Sequence, residues 1–505
     1  MTNPNAAAPP EHGTLLGHPK GLYVLFFTEL WERFSFYSMR AILTLYTAGV
    51  VLAALAQEKA GGQADQIYGA YLGFVYASTF VGGMLADRLL GQRRAIYIGG
   101  SLMALAQFTL AGHAMLVSAG RPVSTLNWMF FLGLGLLSAG NGFFKPNIST
   151  IVGTLYAPGD ARRDVGFTIF YMGINIGAFL ASFSGGIAQS FGWHLGFLLA
   201  GVGMVLGMII FTFGMRSIGD RGLPPAGASL RAVGRLGVPN GLALLVGVAA
   251  FIPAAGYLIS NPEWVQYLSL IIAGPVVLYL LWEALRGSRE EAGRMMVILV
   301  LCTFSMMFWG FFELAGSTIT RFTEDAVDRV VMNKEVPAAF LANVVNPLLI
   351  ILMSIPVAGL WVWLDRKRIE PSSPFKFVMG LGFLSFGFVM LLVGAKTAST
   401  DASGRCAMIW LILAFFFHTT GELCLSPVGL STITKLSPAR LVGMFMGVWF
   451  LSSALGNVLA PKVAGVAEGA SYDAVFLRVS LITLGGAVLL LMLVRPLKRL
   501  MHGVK

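Results

Sequence analysis

Residues 22–52 read LYVLFFTELWERFSFYSMRAILTLYTAGVVL, an apolar run long enough to cross a bilayer that nevertheless carries Glu29, Glu32, Arg33 and Arg40. A charge at the centre of a bilayer costs roughly 2.5–3.5 kcal/mol, whereas a Leu, Phe, Ile or Val returns only about 0.3–0.6 kcal/mol. Four charges therefore cancel most of the stretch's own tendency to insert. At about 100° per residue, positions 29, 32, 33, 36, 37 and 40 fall within an arc of about 140°, so the charges share one helix face. That face has to look into protein or water. Glu29 and Arg33 stand at i,i+4, suited to an ion pair. Charge inside a membrane span by default marks an ion or substrate path.

The rest of the chain is built for the same solvent. Its 505 residues are 56% hydrophobic and 12% charged, with a mean hydropathy of +0.76, values that exclude an ordinary soluble globular protein. We expect an all-α polytopic membrane protein. The first twenty residues are polar and rich in Pro and Ala, without the charged start, short apolar core and cleavage site of a secretory signal, so the first helix itself is expected to direct insertion. Cys302, Cys406 and Cys424 lie in apolar segments without CxxC spacing, which predicts neither a disulfide framework nor a metal site. Apolar stretches of helix length, among them 67–86 and 295–321, number about fourteen. With both termini in the cytoplasm, most of the 35 Lys and Arg fall on the inner side, at Arg93-Arg94, Arg162-Arg163, Arg366-Lys367-Arg368 and Arg495 to Arg499. The net charge of +11 is thus a matter of topology, and no nucleic-acid partner is implied.

The chain also echoes itself. FFTEL around Glu29 returns as FFEL around Glu313, Asp87-Arg88 as Asp365-Arg366, and Gly140/Pro146 as Gly421/Pro427, each at an offset of about 280 residues. A shared offset points to two homologous halves of six helices, as in transporters made of parallel repeats. Halves of that size leave room for an insert. The expected organisation is a cytoplasmic tail 1–19, a six-helix bundle 20–217, a linker with two inserted helices 218–293, a second six-helix bundle 294–497 and a tail 498–505. The Gly/Pro/Arg-rich stretch GDRGLPPAGASLRAVGRLGVPNG reads as the cytoplasmic linker.

Charged residues inside spans recur on corresponding helices: Glu29, Glu32, Arg33 and Arg40 on the first, Lys145 on the fourth, then Glu313 and Glu422 in the second half. A carboxylate out of water holds its proton unless a cation stands nearby, so one whose partner is drawn away can exchange a proton. Proton coupling requires that behaviour. Tyr37, Tyr76, Asn175 and Asn346 add hydrogen-bonding groups suited to a zwitterion with amide groups, each equally suited to an interhelical hydrogen bond. His418, one turn before Glu422, reads as a packing histidine ahead of a member of a proton path. Gly82-Gly83-x-x-Ala86-Asp87-Arg88-x-x-Gly91-Gln92-Arg93-Arg94 joins spans two and three, where Asp87 is placed to cap a neighbouring helix terminus and release it.

Together these residues resemble the proton-dependent oligopeptide transporters, a branch of the major facilitator superfamily. Glu29-Leu-Trp-Glu32-Arg33-Phe34-Ser-Phe36-Tyr37 is similar to that family's ExxERFxYY motif. Gly140-Asn-Gly142-Phe-Phe-Lys145-Pro146-Asn147 is similar to its fourth-helix motif, and Phe170-Tyr171-Met-Gly-Ile174-Asn175-Ile-Gly177 to FYxxINxG. Phe308-Trp309 to Glu313 and Gly421-Glu422-Leu423-x-x-Ser426-Pro427-x-Gly429-Leu430 complete the set, and the extra helix pair is similar to that of prokaryotic members. The chain departs from the pattern at Phe36, Ser38 and Leu314, where Tyr, Gly and Gln are usual. The resemblance implies the major facilitator fold and proton-driven import of di- and tripeptides by alternating access through a bacterial inner membrane. We further expect a monomer without cofactor or metal. By the same resemblance Glu29, Glu32, Arg33 and Glu313 handle protons. Arg40 and Lys145 take the peptide carboxylate, Glu422 with Asn346 the amino terminus, and Tyr37, Tyr76 and Asn175 line the cavity. Arg40 with Glu313 and Lys145 with Glu422 act as gating bridges, joined in gating by Asp87.

Two rival readings fit the residues less well. One is a relative moving another small anion, such as nitrate, or a peptide-like drug; the complete ExxER and Glu422, for which a nitrate site has no use, favour peptide. A membrane enzyme would need a nucleophile or metal constellation, and HExxH, GxSxG and the P-loop lysine motif are absent.

Overall fold

The computed structural model describes residues 13–157, 160, 162–234, 237–438, 442–466 and 469–503. Of the expected tails, residues 1–12 and 504–505 lie outside the described residues. The fold is helical: α1 (Lys20–Tyr46), α2 (Gln57–Leu85), α3 (Gln92–Ser118), α4 (Val123–Thr154), α5 (Arg162–Phe191), α6 (Trp193–Ile218), α7 (Asn240–Ser260), α8 (Pro262–Arg286), α9 (Arg289–Phe312), α10 (Thr318–Ala326), α11 (Ala338–Arg366), α12 (Ser373–Thr400), α13 (Ile409–Leu436), α14 (Val442–Val463) and α15 (Tyr472–Leu500). Among the described residues, β-structure is confined to two-residue strands such as Val327–Asp328, which runs parallel to Cys406–Ala407. Long helices are what an apolar solvent demands, because each satisfies its own backbone groups. Among the described residues, twelve helices are long and apolar enough to cross a membrane. The charge-bearing α1 is not among these twelve, as the energetics of its four charges lead one to expect.

Two stretches differ from the sequence expectation. The second span starts earlier than residue 67, at Gln57, and takes Asp65 into the helix. The span expected to run unbroken over 295–321 is interrupted: α9 ends at Phe312, a tight turn occupies Glu313–Gly316, and α10 resumes at Thr318. Ser317, at φ −128° and ψ −96°, makes the break. Apolar composition runs straight through such a turn, so hydropathy does not reveal it.

The described residues form two compact units, those up to 39 with those of 78–256, and those of 40–77 with those from 257 on. In the first, glycines let helices meet at backbone distance. A Cβ on Gly82 of α2 would stand 2.0 Å from the Gly142 carbonyl oxygen, and one on Gly140 would stand 2.8 Å from that of Gly99, so α4 is held against both α2 and α3. Gly91, at φ +72°, turns the chain from α2 into α3, and a Cβ there would meet the backbone at Leu223 and Pro224. The linker is fastened to the same end: the Gly222 carbonyl accepts from the Arg93 backbone N–H at 3.0 Å, and Arg221 Nε donates to the Thr154 carbonyl at 2.9 Å. In the second unit an aromatic-rich core that includes Phe308, Phe322, Phe377, Phe388 and Phe476 ties α9, α10, α12 and α15 together.

Candidate functional site

In the first unit, the charged face of α1 is fully enclosed. Glu29, Glu32 and Arg33 are 2%, 0% and 3% exposed, so their charges must be met by protein. Arg33 meets both acids. Its Nε stands 3.1 Å from Glu29 Oε1 and also binds Glu32 Oε2, while its Nη2 donates to Glu32 Oε1 at 2.7 Å. Asn141 Nδ2 of α4 approaches Glu32 Oε1 at 3.4 Å, and the Phe36 ring lies 5.2 Å from the Arg33 guanidinium. Glu29 Oε2 is buried without a hydrogen-bond partner among the described residues. Lys145, one turn after Asn141 on α4, acts electrostatically on both glutamates, so two acids face two bases. Gly177 of α5 makes room for this cluster, since a Cβ there would stand 2.4 Å from the Leu30 carbonyl oxygen and 2.9 Å from Arg33 Cβ.

Arg40, two turns further along α1, belongs to the second unit, where it binds Glu313 and donates from its Nε to the Tyr68 hydroxyl oxygen at 2.5 Å. The tight turn carrying Glu313 is anchored one turn on, where Thr44 Oγ1 donates to the Gly316 carbonyl at 3.0 Å. On α13, buried Glu422 accepts from Asn346 Nδ2 at 3.1 Å, and the same amide nitrogen lies 2.9 Å from Thr419 Oγ1. Arg40 and Glu313 both act electrostatically on Glu422. The acid, amide and guanidinium expected from the sequence are thus neighbours in one network.

Other expected residues take plainer positions. Asn175 is buried with its amide donated to the Tyr171 carbonyl at 3.1 Å, a bond within its own helix. Tyr37 acts electrostatically on Arg33, and Tyr76 is half-buried on α2. Asp87 is exposed and accepts from the side chain of Gln92, the first residue of α3, at 2.9 Å. His418 packs its ring among Phe312, Phe388 and Phe415, as a packing histidine does. One buried pair was missed by sequence reasoning. Asp65 of α2 receives Arg321 of α10 through two bonds, Nε to Oδ1 at 3.0 Å and Nη2 to Oδ2 at 2.7 Å. No local pattern joins these residues, and each sits near a span end, where charge is ordinary. No group of His, Cys, Asp and Glu suited to a metal ion occurs among the described residues.

Buried, paired charge of both signs on a bundle of apolar helices defines a multi-span membrane transporter. Comparison with known proteins supplies the family. The family model described as the POT family matches residues 93–475. The peptide transporter YePEPT of Yersinia enterocolitica is 36% identical over 511 residues, covering 97% of each chain. A di-/tripeptide transporter of Lactococcus lactis subsp. cremoris is 32% identical over 513 residues, 97% of this chain and 98% of that one. Among solved structures, a crystal structure of the peptide transporter POT in complex with sulfate matches with a TM-score of 0.83 and 34% identity over 98% of both chains. A POT family transporter in complex with 5-aminolevulinic acid matches with a TM-score of 0.81 and 26% identity, over 97% of this chain and 99% of that one. This chain belongs to the POT family, whose members are transporters and not enzymes.

Proposed function

We propose that the protein is a proton-coupled symporter that imports di- and tripeptides by alternating access. It sits in the inner membrane of a bacterial cell as a monomer with both termini cytoplasmic, its six-helix bundles spanning 20–217 and 294–497 around the 218–293 insert. The observation that carries this reading is the buried charge of α1: two glutamates share Arg33, and Arg40 on the same helix binds Glu313. Such pairs are stable only while complete, so protonating a carboxylate frees its cation for another anion. Glu29, Glu32, Arg33 and Glu313 handle the proton. Arg40 and Lys145 receive the peptide carboxylate, Glu422 with Asn346 receives the ammonium end, and Tyr37, Tyr76 and Asn175 line the binding cavity. Arg40 with Glu313, Lys145 with Glu422, and Asp87 act in gating. The bond between Asn346 and Glu422 supports a peptide over an inorganic anion, because an anion has no use for a buried acid.

The role of Glu32 can be separated from binding. In proteoliposomes, Glu32→Gln is expected to abolish accumulation driven by an inward proton gradient while leaving exchange of labelled for unlabelled dialanine. Loss of both activities would mark the Glu32–Arg33 pair as structural.

A further inference from the structure

The first inserted helix, α7, meets the rest of the first unit unevenly along its length. Toward its end it touches α4 backbone to backbone: a Cβ on Gly135 would stand 2.2 Å from the Ile252 carbonyl oxygen, and one on Gly256 would stand 2.6 Å from that of Phe131. Toward its start the helices part. A Cβ on Gly247 would have nothing within 4 Å, although the Leu244 and Val248 side chains still reach the apolar cluster of Ala86, Leu90, Ala95 and Phe143. The gap is a wedge of about 450 Å³, lined by Val81 and Leu85 of α2, Gly142 and Phe143 of α4, and Leu244 and Phe251 of α7 among others. Polar side chains in its wall are already bonded: Ser78 Oγ donates to the Ser138 carbonyl at 2.7 Å and Asn240 Nδ2 to the Ser229 carbonyl at 3.1 Å. A cavity so lined holds water poorly and takes hydrocarbon. From Asn240 to Phe251, both in its wall, α7 rises about 16 Å, close to the depth of about 15 Å that one leaflet gives to the hydrocarbon core.

The rim of this wedge at the linker end is basic. Leu230 packs on the same apolar cluster; its carbonyl accepts from the Gly241 backbone N–H at 2.8 Å, and the Ala232 carbonyl accepts from that of Asn240 at 2.9 Å, which fixes Arg231 beside the first turn of α7. Arg88 adjoins the lining residue Leu89, Arg94 adjoins Ala95 of the cluster, and all three arginines are exposed. Over 86–95 and 219–234 the chain carries Arg88, Arg93, Arg94, Arg221 and Arg231 against Asp87 and Asp220, and Asp87 is engaged by Gln92. We propose that the wedge is a binding site for one anionic glycerophospholipid, an acyl chain lying along α7 between α2 and α4 and the phosphate held at the rim by Arg88, Arg94 and Arg231. The wedge takes apolar length and has no place for a zwitterionic peptide. At the rim, each arginine near the membrane surface strengthens binding of an anionic lipid about fivefold. The seated chain fills the gap under α7 and completes the packing of the insert on the first unit. Such a site is independent of which solute the protein carries.

The test uses the full chain, purified in detergent and stripped of lipid, with a phosphatidylglycerol that carries a photoreactive diazirine in one acyl chain. After illumination, cross-links are expected to concentrate on the segments 78–89, 139–143 and 240–251, which line the wedge. Unlabelled phosphatidylglycerol is expected to displace the probe at a concentration about fivefold or more below that needed of phosphatidylcholine with the same chains. Ala243→Phe puts a ring into the wedge and is expected to abolish cross-linking at these segments, and Arg94→Gln with Arg231→Gln to weaken probe binding about tenfold or more. Cross-links spread evenly over the lipid-facing helices, equal displacement by the two lipids, or undiminished cross-linking in Ala243→Phe would overturn the proposal. If Ala243→Phe does not reach the membrane, the arginine double variant decides, because both of its substitutions are exposed; probe binding at the parent strength would then overturn it.

Discussion

At the residue scale, α1 was legible because a charge in an apolar run is improbable and the 3.6-residue period puts Glu29, Glu32, Arg33 and Arg40 on one face. The structure adds the sharing: one guanidinium serves two enclosed carboxylates, with Asn141 completing Glu32 and Lys145 as the second base. From this follows an asymmetry between variants. Arg33→Ala leaves two buried acids without their shared partner and is expected to lower stability by about 3–5 kcal/mol, read as a large fall in detergent melting temperature. A variant melting like the parent would show that the acids were held neutral. Asn346→Ala removes a donor to Glu422 and is expected to raise KM for free dipeptides about tenfold, with a smaller effect on N-acetylated ones; equal effects on both would remove the ammonium role from this pair. Asp65 and Arg321 stayed hidden because they come together only through the fold, about 250 residues apart in sequence.

At the element scale, hydropathy located the helices but not their interruptions. The turn at Glu313–Gly316 lies within apolar sequence, and it is held by tertiary bonds: Arg40 binds the Glu313 carboxylate, Thr44 binds the Gly316 carbonyl, and Arg40 is itself bonded to Tyr68. Glycines were legible as small-residue contacts in general, whereas which one meets which helix was not. Gly82 against Gly142 and Gly99 against Gly140 fix α2 and α3 on the motif-bearing helix α4. Gly82→Val therefore has to displace backbone and is expected to cost about 1–3 kcal/mol. Gly247→Val, in α7 where nothing stands within 4 Å of the built Cβ, is expected to be neutral in the same melting assay. A reversed order would contradict the packing assigned to α4.

At the scale of the whole molecule, the internal echo predicts two halves with an insert, because repetition at a fixed offset survives where single motifs are ambiguous. The compact units divide α1 between Met39 and Arg40, so one helix contributes the Glu29–Glu32–Arg33 cluster to one unit and Arg40 to the other. No sequence periodicity marks that division, which arises from packing alone. In the proposed cycle α1 joins proton chemistry to substrate charge. The most direct measurement of that claim is uptake of labelled dialanine by proteoliposomes under an inward proton gradient. Accumulation above the outside concentration that collapses when a protonophore removes the gradient is the predicted result. Uptake of no di- or tripeptide above empty vesicles, or accumulation indifferent to the gradient, would contradict it.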